Sequence, residues 1–346
     1  MNIYILINYG ILAVLFTFLL AETVSVLSLI YDRKGLPKIM KYLGPIWGIV
    51  GTFAVFFIVN TEVLYPTIMP AIDSLYVFPI LLATLLFIGR NVFLVFSEYI
   101  WKDSKIDQVS LARVYGIITS IIILILLVVF ISIITGVGVN NSLTSFSLYS
   151  FLSNYYSIVF IIGVLLIAFG MAFPFYSIQN LKVLSPISTI VGLIIFILSM
   201  NNLGILTNYF TYLIAGAITA VSLVYYFTNK SRREIIFFLF FIAVFSINVI
   251  NYGKVFGTKI LSSFLNNSAV SSAGLVVTIV GGVILTAMLA FFLYMYKRPD
   301  QKNDYQKDYK DEDNPFSKIG IANLYIIPNN NKENGKEYKK GKNKQH

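Results

Sequence analysis

The chain has 346 residues, of which 57% are hydrophobic and only 12% are charged, and its mean hydropathy is +0.79. Soluble domains carry about 45–50% apolar and about 25% charged residues. This composition excludes a water-soluble enzyme or binding module and predicts an all-α, multi-pass membrane protein. The sequence has no cysteine and a single histidine, His346 at its last position. It therefore excludes thiolate chemistry and offers no imidazole ligand for a heme or another metal within the apolar region.

Nine apolar runs are long enough to cross a membrane, which takes about 20 residues. In chain order, we predict transmembrane helices at 4–30, 46–65, 75–96, 111–135, 156–178, 183–200, 203–227, 234–250 and 270–296. The sixth helix is short and begins near Pro186, and only Asn201 and Asn202 separate it from the seventh.

These helices group into a transmembrane domain at 1–297, followed by a tail. A Ser/Asn-rich segment at 140–154 separates the first four helices from the next four. We therefore predict two four-helix units, at 1–139 and 154–252, and one peripheral helix at 270–296. The region 298–346 is polar and rich in Lys, Asn and Asp. Such a composition buries too little apolar area to order itself, so we predict a disordered tail.

Basic residues in the loops predict the orientation in the plasma membrane. Loops on one side, with their margins, hold eleven basic residues: Arg33, Lys34, Lys38, Lys41, Lys102, Lys105, Arg113, Lys182, Lys230, Arg232 and Arg233. Loops on the other side hold two, Lys254 and Lys259. Because cytoplasmic loops carry the excess of Lys and Arg, the N-terminus is predicted outside and the C-terminus in the cytoplasm. The formal charge of +10 therefore does not indicate a nucleic-acid partner.

Two ionisable residues lie inside predicted spans, where charge is costly and indicates function. Glu22 and Arg90 both lie about 10 Å inside the cytoplasmic boundary, at 1.5 Å per helical residue. Their similar depth allows an ion pair or a shared polar pocket. Glu22 alone is also compatible with a protonated, hydrogen-bonded carboxyl or with a proton path. Arg90 is also compatible with snorkelling, or with binding an anionic cofactor group on a partner chain.

Two stretches carry a family resemblance. Residues 38–99 contain KYLGPIWGIVG and then AIDSLYVFPILLATLLFIGRNVFLVFSEY, with a basic loop, a Pro-x-Trp at Trp47, an early Tyr and an Arg followed by aromatic residues. Residues 248–297 contain ILSSFLNNSAVSSAGLVVTIVGGVILTAMLAFFLYMYK, a Ser-rich outer loop leading into a helix that ends in aromatic and basic residues. Together with nine predicted helices, these features resemble subunit II of cytochrome bd-type quinol oxidases.

The resemblance implies a divergent, non-catalytic membrane subunit of a respiratory complex that oxidises quinol and reduces oxygen. By the same resemblance, hemes belong to the partner, subunit I, and this chain holds no heme or metal but scaffolds subunit I and shapes a proton or oxygen path. Trp47 and Arg90 match family residues near the heme of the partner subunit, and Glu22 lies where the family has acidic residues. One departure is clear: Gly48 stands where the family has the acid that follows its tryptophan.

Two other classes remain open from the sequence: a secondary transporter and a membrane assembly protein without chemistry. Transporters have helices broken by Gly and Pro near the middle of the membrane. Only 170–174, with Gly170 and Pro174, has this pattern, which disfavours a transporter. A Trp at the end of a span is also typical of an interfacial anchor, which is the alternative function for Trp47.

Overall fold

The computed structural model describes residues 3–31, 36–64, 69–95, 108–140, 142, 144–179, 181–230, 233–252, 254, 276, 278–285 and 287. All of them belong to one compact unit, Met1–Phe292, so the predicted tail lies outside the described residues. Ten helices have full bounds: α1 Ile3–Tyr31, α2 Leu36–Leu64, α3 Met69–Leu75, α4 Val77–Val95, α5 Gln108–Thr135, α6 Leu148–Ser153, α7 Tyr155–Tyr176, α8 Leu184–Asn202, α9 Tyr209–Thr228 and α10 Arg233–Ile250. The predicted all-α membrane fold is confirmed.

Seven of the described helices are long and apolar enough to cross a membrane. These spans are Ile5–Ser25, Val77–Val95, Arg113–Thr135, Tyr155–Tyr176, Leu184–Asn202, Tyr209–Thr228 and Arg233–Ile250. The second predicted helix corresponds to α2, whose described apolar part is Gly48–Val63. The ninth falls largely outside the described residues, and its residues 276, 278–285 and 287 are helical.

Two predicted boundaries differ from the structure. α2 begins at Leu36, well before position 46, so Lys38 and Lys41 lie on a helix and not in a loop. Pro37 in the first turn suits a helix start because its missing N–H group has no intrahelical partner there. The predicted helix at 75–96 is also divided, because the short helix α3 ends at Leu75 and α4 begins after Tyr76.

The connection between α8 and α9 is longer than predicted. It runs from Leu203 to Asn208, rather than through two asparagines alone. Gly204 has a φ of +70°, which ends the helix in a left-handed residue. Asn208 then caps α9 in a capping box with Thr211. The apolar residues of this connection favour the prediction of a continuous helix. In the structure, Gly204 ends α8 and the Asn208 cap sets the start of α9.

α1 lies at the centre of the described bundle. It packs against α2, α5, α7 and α10, and 67% of its span is buried, against 11% for the span of α4. α4 packs on α3 and α5, while α9 packs on α7, α8 and α10. A charged side chain on α1 is therefore enclosed by protein on most sides, whereas α4 presents most of its surface outward.

α7 and α8 approach closely through small residues. A Cβ atom on Gly163 would lie 2.9 Å from the Phe196 nitrogen, and one on Gly192 would lie 2.8 Å from the Ile167 nitrogen. The hydroxyl group of Ser185 donates to the Gly170 carbonyl at 2.8 Å. Small residues and interhelical hydrogen bonds drive helix packing in lipid, where the hydrophobic effect between helices is absent.

Candidate functional site

The structure brings Glu22 on α1 and Arg90 on α4 together in an ion pair. Arg90 Nη1 donates to Glu22 Oε2 at 2.5 Å, and neither side chain is exposed. Two opposite charges at this distance offset part of the large cost of removing each from water. Loss of either partner would leave the other as an unpaired buried charge.

A third residue, Tyr115 on α5, completes the site. Its hydroxyl group donates to Glu22 Oε1 at 3.1 Å, so each carboxylate oxygen accepts one hydrogen bond. Tyr115 itself is buried. A hydrogen bond at each oxygen, one from a charged donor and one from a neutral donor, holds the carboxyl group in one orientation. Three helices, α1, α4 and α5, therefore meet at one carboxylate.

Aromatic rings enclose the guanidinium group. Arg90 Cζ lies 4.4 Å from the centre of the Phe87 ring and 5.5 Å from the centre of the Tyr115 ring. A cation over a ring face at these distances gains cation–π stabilisation, which is larger where water is excluded. Phe87 is one helical turn before Arg90 on α4, so the same helix supplies both the cation and one of its rings.

One guanidinium nitrogen has no partner among the described residues. Arg90 Nε donates to Asn91 Oδ1 at 3.4 Å and Nη1 donates to Glu22, but Nη2 is buried with no hydrogen-bond acceptor. A buried donor without an acceptor costs about 1–3 kcal/mol, and more for a charged group. The ion pair is thus incomplete on the side of Nη2.

A second polar contact lies one turn further along α1. The hydroxyl groups of Ser25 on α1 and Tyr176 on α7 are hydrogen-bonded to each other, and Ser25 Oγ also donates to the Ala21 carbonyl at 2.9 Å. Both side chains are buried. Ser25 and Glu22 are three residues apart on α1, so both lie on the same face of that helix. This face therefore carries polar groups from Glu22 towards the end of α7.

The structure does not test the placement of the Trp47 side chain. Its backbone lies in α2, and its side chain lies outside the described residues, so its position next to a partner's heme stays a prediction. Gly48, at the position of the family acid, is exposed on α2, and its carbonyl accepts from Thr52 Oγ1 at 2.9 Å. No carboxylate is therefore supplied at position 48.

Sequence reasoning missed Tyr115, Phe87 and Asn91. Tyr115 lies about 6 Å inside the same predicted boundary, at 1.5 Å per residue from position 111. With 23 tyrosines and 29 phenylalanines in the chain, however, aromatic residues at this depth are too common to single out one.

An apolar cavity of about 120 Å³ lies beside α1, between α5 and the four helices α7–α10. Its lining includes Phe16 and Phe160, and its polar lining is restricted to hydroxyl-bearing residues such as Thr211 and Ser246. Apolar cavities of about this size stay dry and accept small apolar molecules. The cavity and the ion pair are therefore different in chemistry, although α1 contributes to both.

Comparison with protein-family models gives no match, and comparison with curated proteins also gives none. Among solved structures, the chain is similar to one described as the structure of bd oxidase from Geobacillus thermodenitrificans. The TM-score is 0.58 at 14% sequence identity, over 86% of this chain and 100% of that chain. At this identity the similarity shows a shared fold.

Proposed function

We propose that this chain is a heme-free membrane subunit of a bd-type terminal oxidase, in which it supports a heme-bearing subunit I. The observation that carries the proposal is the shared fold, which extends over the full length of the compared bd oxidase chain. The sequence motifs around Trp47 and Arg90 support it independently, because they were identified from the residues alone.

The least buried span indicates where a partner would dock. α4 has the lowest buried share of the seven spans, at 11%. Its exposed apolar residues are Val77, Phe78, Leu81, Leu82, Leu85, Ile88 and Val92. A neighbouring open groove on α2 is lined by Gly51, Thr52, Val55, Phe56 and Val59. A groove containing glycine admits the close approach of another helix in lipid, so we assign this face to subunit I.

The chain's own residues do not fit a heme site. Protein hemes usually have at least one imidazole or thiolate ligand, and the chain has no cysteine and only His346. The described residues also contain no group of three His, Cys, Asp or Glu side chains that could hold a metal ion. In this proposal the hemes and the reaction with oxygen therefore belong to the partner.

Glu22 and the apolar cavity support the proposed contribution to a proton or oxygen path. A carboxyl group enclosed by protein can hold or release a proton at a fixed position, and Tyr115 and Arg90 hold that position. The cavity beside α1 has the apolar lining that a small apolar molecule requires. The Arg90 Nη2 group lacks an acceptor among the described residues, which leaves one donor for an acidic group of the partner.

The structure gives no specific support to a transporter. α7 is helical from Tyr155 to Tyr176 with Pro174 inside it, so the Gly170–Pro174 pattern does not break the helix. Transporter sites use the free ends of broken helices.

Purification of the tagged chain from native membranes, followed by a reduced-minus-oxidised spectrum, tests the proposal. We expect heme absorption bands that co-purify with the chain, together with quinol-dependent oxygen consumption. A matched sample with Arg90→Leu should retain less of the heme protein. Val224→Leu, at an exposed position on α9 that lies outside the face assigned to subunit I, should retain as much as the wild type. Isolation of the wild-type chain without any heme protein would overturn the proposal.

A further inference from the structure

Helices α7–α10 carry, at one of their ends, a lysine whose side chain is held in a fixed position. Consecutive spans cross the membrane in opposite directions, so α7 and α9 end on the same side, where α8 and α10 begin. Lys182 lies in the turn between α7 and α8 at this end, and it is half-buried. Its position at the boundary of two spans places its amino group at the level of lipid headgroups.

Two contacts fix the Lys182 side chain. Its Nζ donates to Asn229 Oδ1 at 2.9 Å and lies 5.5 Å from the centre of the Tyr226 ring. Asn229 is the C-cap of α9, with a φ of 56°, and its N–H group donates to the Tyr225 carbonyl. The backbone of Asn229, whose side-chain amide accepts from Lys182, is therefore held in place at the end of α9. An ammonium group has three N–H bonds, and the bond to Asn229 uses one of them.

Exposed apolar side chains neighbour Lys182 and its two contacts in the chain, since Leu181 precedes Lys182 and Phe227 follows Tyr226. Leu181 is 59% exposed and Phe227 is 75% exposed. Leu181 also has a φ of 56°, a left-handed conformation that a leucine rarely adopts and that surrounding structure must maintain. In this conformation its side chain points outward. A cation beside exposed apolar side chains is suited to binding a phospholipid, in which an anionic phosphate is covalently linked to apolar acyl chains.

We propose that Lys182 binds the phosphate of an anionic phospholipid, while Leu181 and Phe227 contact its acyl chains. Lys230, which follows the anchoring Asn229 in sequence and is exposed, adds positive charge around the same headgroup. The apolar flanks favour a lipid over free phosphate, because free phosphate gains nothing from them. The site is independent of the proposed oxidase function, since none of its residues belongs to the ion pair or to the face assigned to the partner.

Native mass spectrometry of the detergent-purified full chain, with any partner that it retains, tests the site. Phosphatidylglycerol and phosphatidylcholine with identical acyl chains are titrated in turn. We expect phosphatidylglycerol to bind about fivefold more tightly, which is the order expected for one lysine near an anionic lipid. Lys182→Gln should abolish this preference. Lys230→Gln removes the same charge at the same end but none of the contacts that fix Lys182, so it should lower the preference less than Lys182→Gln does.

A variant without a charge change separates the built site from general attraction. Asn229→Gly removes the amide that accepts from Lys182, preserves the net charge and keeps a residue suited to the left-handed C-cap of α9. It should also lower the preference, and its melting temperature reports whether the fold is intact. Equal losses in Lys182→Gln and Lys230→Gln would overturn the proposal in favour of unspecific surface charge. Displacement of phosphatidylglycerol by millimolar inorganic phosphate would overturn the assignment of a lipid.

Discussion

Arg90 on α4 and Glu22 on α1 form a buried ion pair between two helices that both pack on α5. The pair lies 68 residues apart in sequence, and Tyr115 on α5 joins it. The central helix and the most exposed span are therefore linked by charge as well as by apolar packing. An arginine at the centre of a membrane helix costs about 2.5–3.5 kcal/mol on insertion scales. The contact with Glu22 therefore has a large insertion cost to offset.

Single removal of either charge should be more harmful than removal of both. Glu22→Leu and Arg90→Leu each leave an unpaired buried charge, which costs about 3–5 kcal/mol. The double variant leaves none and should recover much of that loss. Arg90→Lys keeps the charge but not the planar group that reaches both Glu22 and Asn91, so it should be intermediate. Thermal unfolding in detergent measures all four, and a double variant as unstable as the singles would exclude a pairwise role.

Glu22→Gln separates a structural role from proton transfer. If the carboxylate only neutralises Arg90, the variant should lower both heme content and turnover of the purified complex, because the assembly is destabilised. If Glu22 transfers protons, heme content should stay intact while the quinol-oxidase rate falls. Heme content and oxygen consumption are measured on the same preparation. Wild-type values for both would remove Glu22 from the site.

Tyr115→Phe should destabilise the chain without removing the ion pair. The variant deletes the hydroxyl group that donates to Glu22 Oε1 and keeps the ring beside Arg90. Hydrogen bonds to charged groups contribute about 1.5–3 kcal/mol, so the loss should be smaller than that of Arg90→Leu. Tyr212→Phe, an exposed tyrosine on α9, is the matched control in thermal unfolding. Equal melting temperatures for the two variants would contradict the assigned hydrogen bond.

Gly170→Ala should weaken the contact between α7 and α8. A Cβ atom at this position would overlap Thr189 Oγ1 and lie 2.7 Å from the Thr189 nitrogen, and overpacking of this kind costs about 1–3 kcal/mol. Gly216→Ala on α9 is the control, because its Cβ would meet nothing within 4 Å. That variant should be neutral or stabilised by up to about 1 kcal/mol, owing to helix propensity. If the Gly170→Ala protein is as stable as the Gly216→Ala protein, α7 and α8 must lie further apart at Gly170 than the structure shows.

The absence of cysteine makes the orientation directly measurable. Ser142→Cys and Lys230→Cys place single thiols at exposed positions on opposite membrane sides. We expect a membrane-impermeant maleimide to label Ser142→Cys in intact cells and Lys230→Cys only after permeabilisation, because basic loops stay in the cytoplasm. The reversed labelling pattern would invert the predicted topology.

Sequence reasoning reached the helices and two of the three residues at the carboxylate, for a physical reason. Apolar length determines a span, and a charge within it is rare enough to identify Glu22 and Arg90 one by one. Tyr115 could not be identified, since tyrosines are common in this chain and only the packing of α5 selects one of them. The α8–α9 connection was also missed. Gly204 and Asn208 act through local backbone geometry, which does not lower the mean hydropathy of the segment enough to indicate a loop.

The separation of Glu22 from its partners along the chain has a consequence for biosynthesis. α1 enters the membrane before α4 and α5, because Arg90 lies 68 residues and Tyr115 lies 93 residues after Glu22 in the chain. Until then the carboxyl group has neither of these donors, and a neutral, protonated carboxyl is far cheaper to place in lipid than an ionised one. The Glu22 carboxyl group therefore ionises at low cost only after α4 has entered the membrane and supplied Arg90. An arrest of translation between these two helices would therefore leave a carboxyl group within the membrane without its cation.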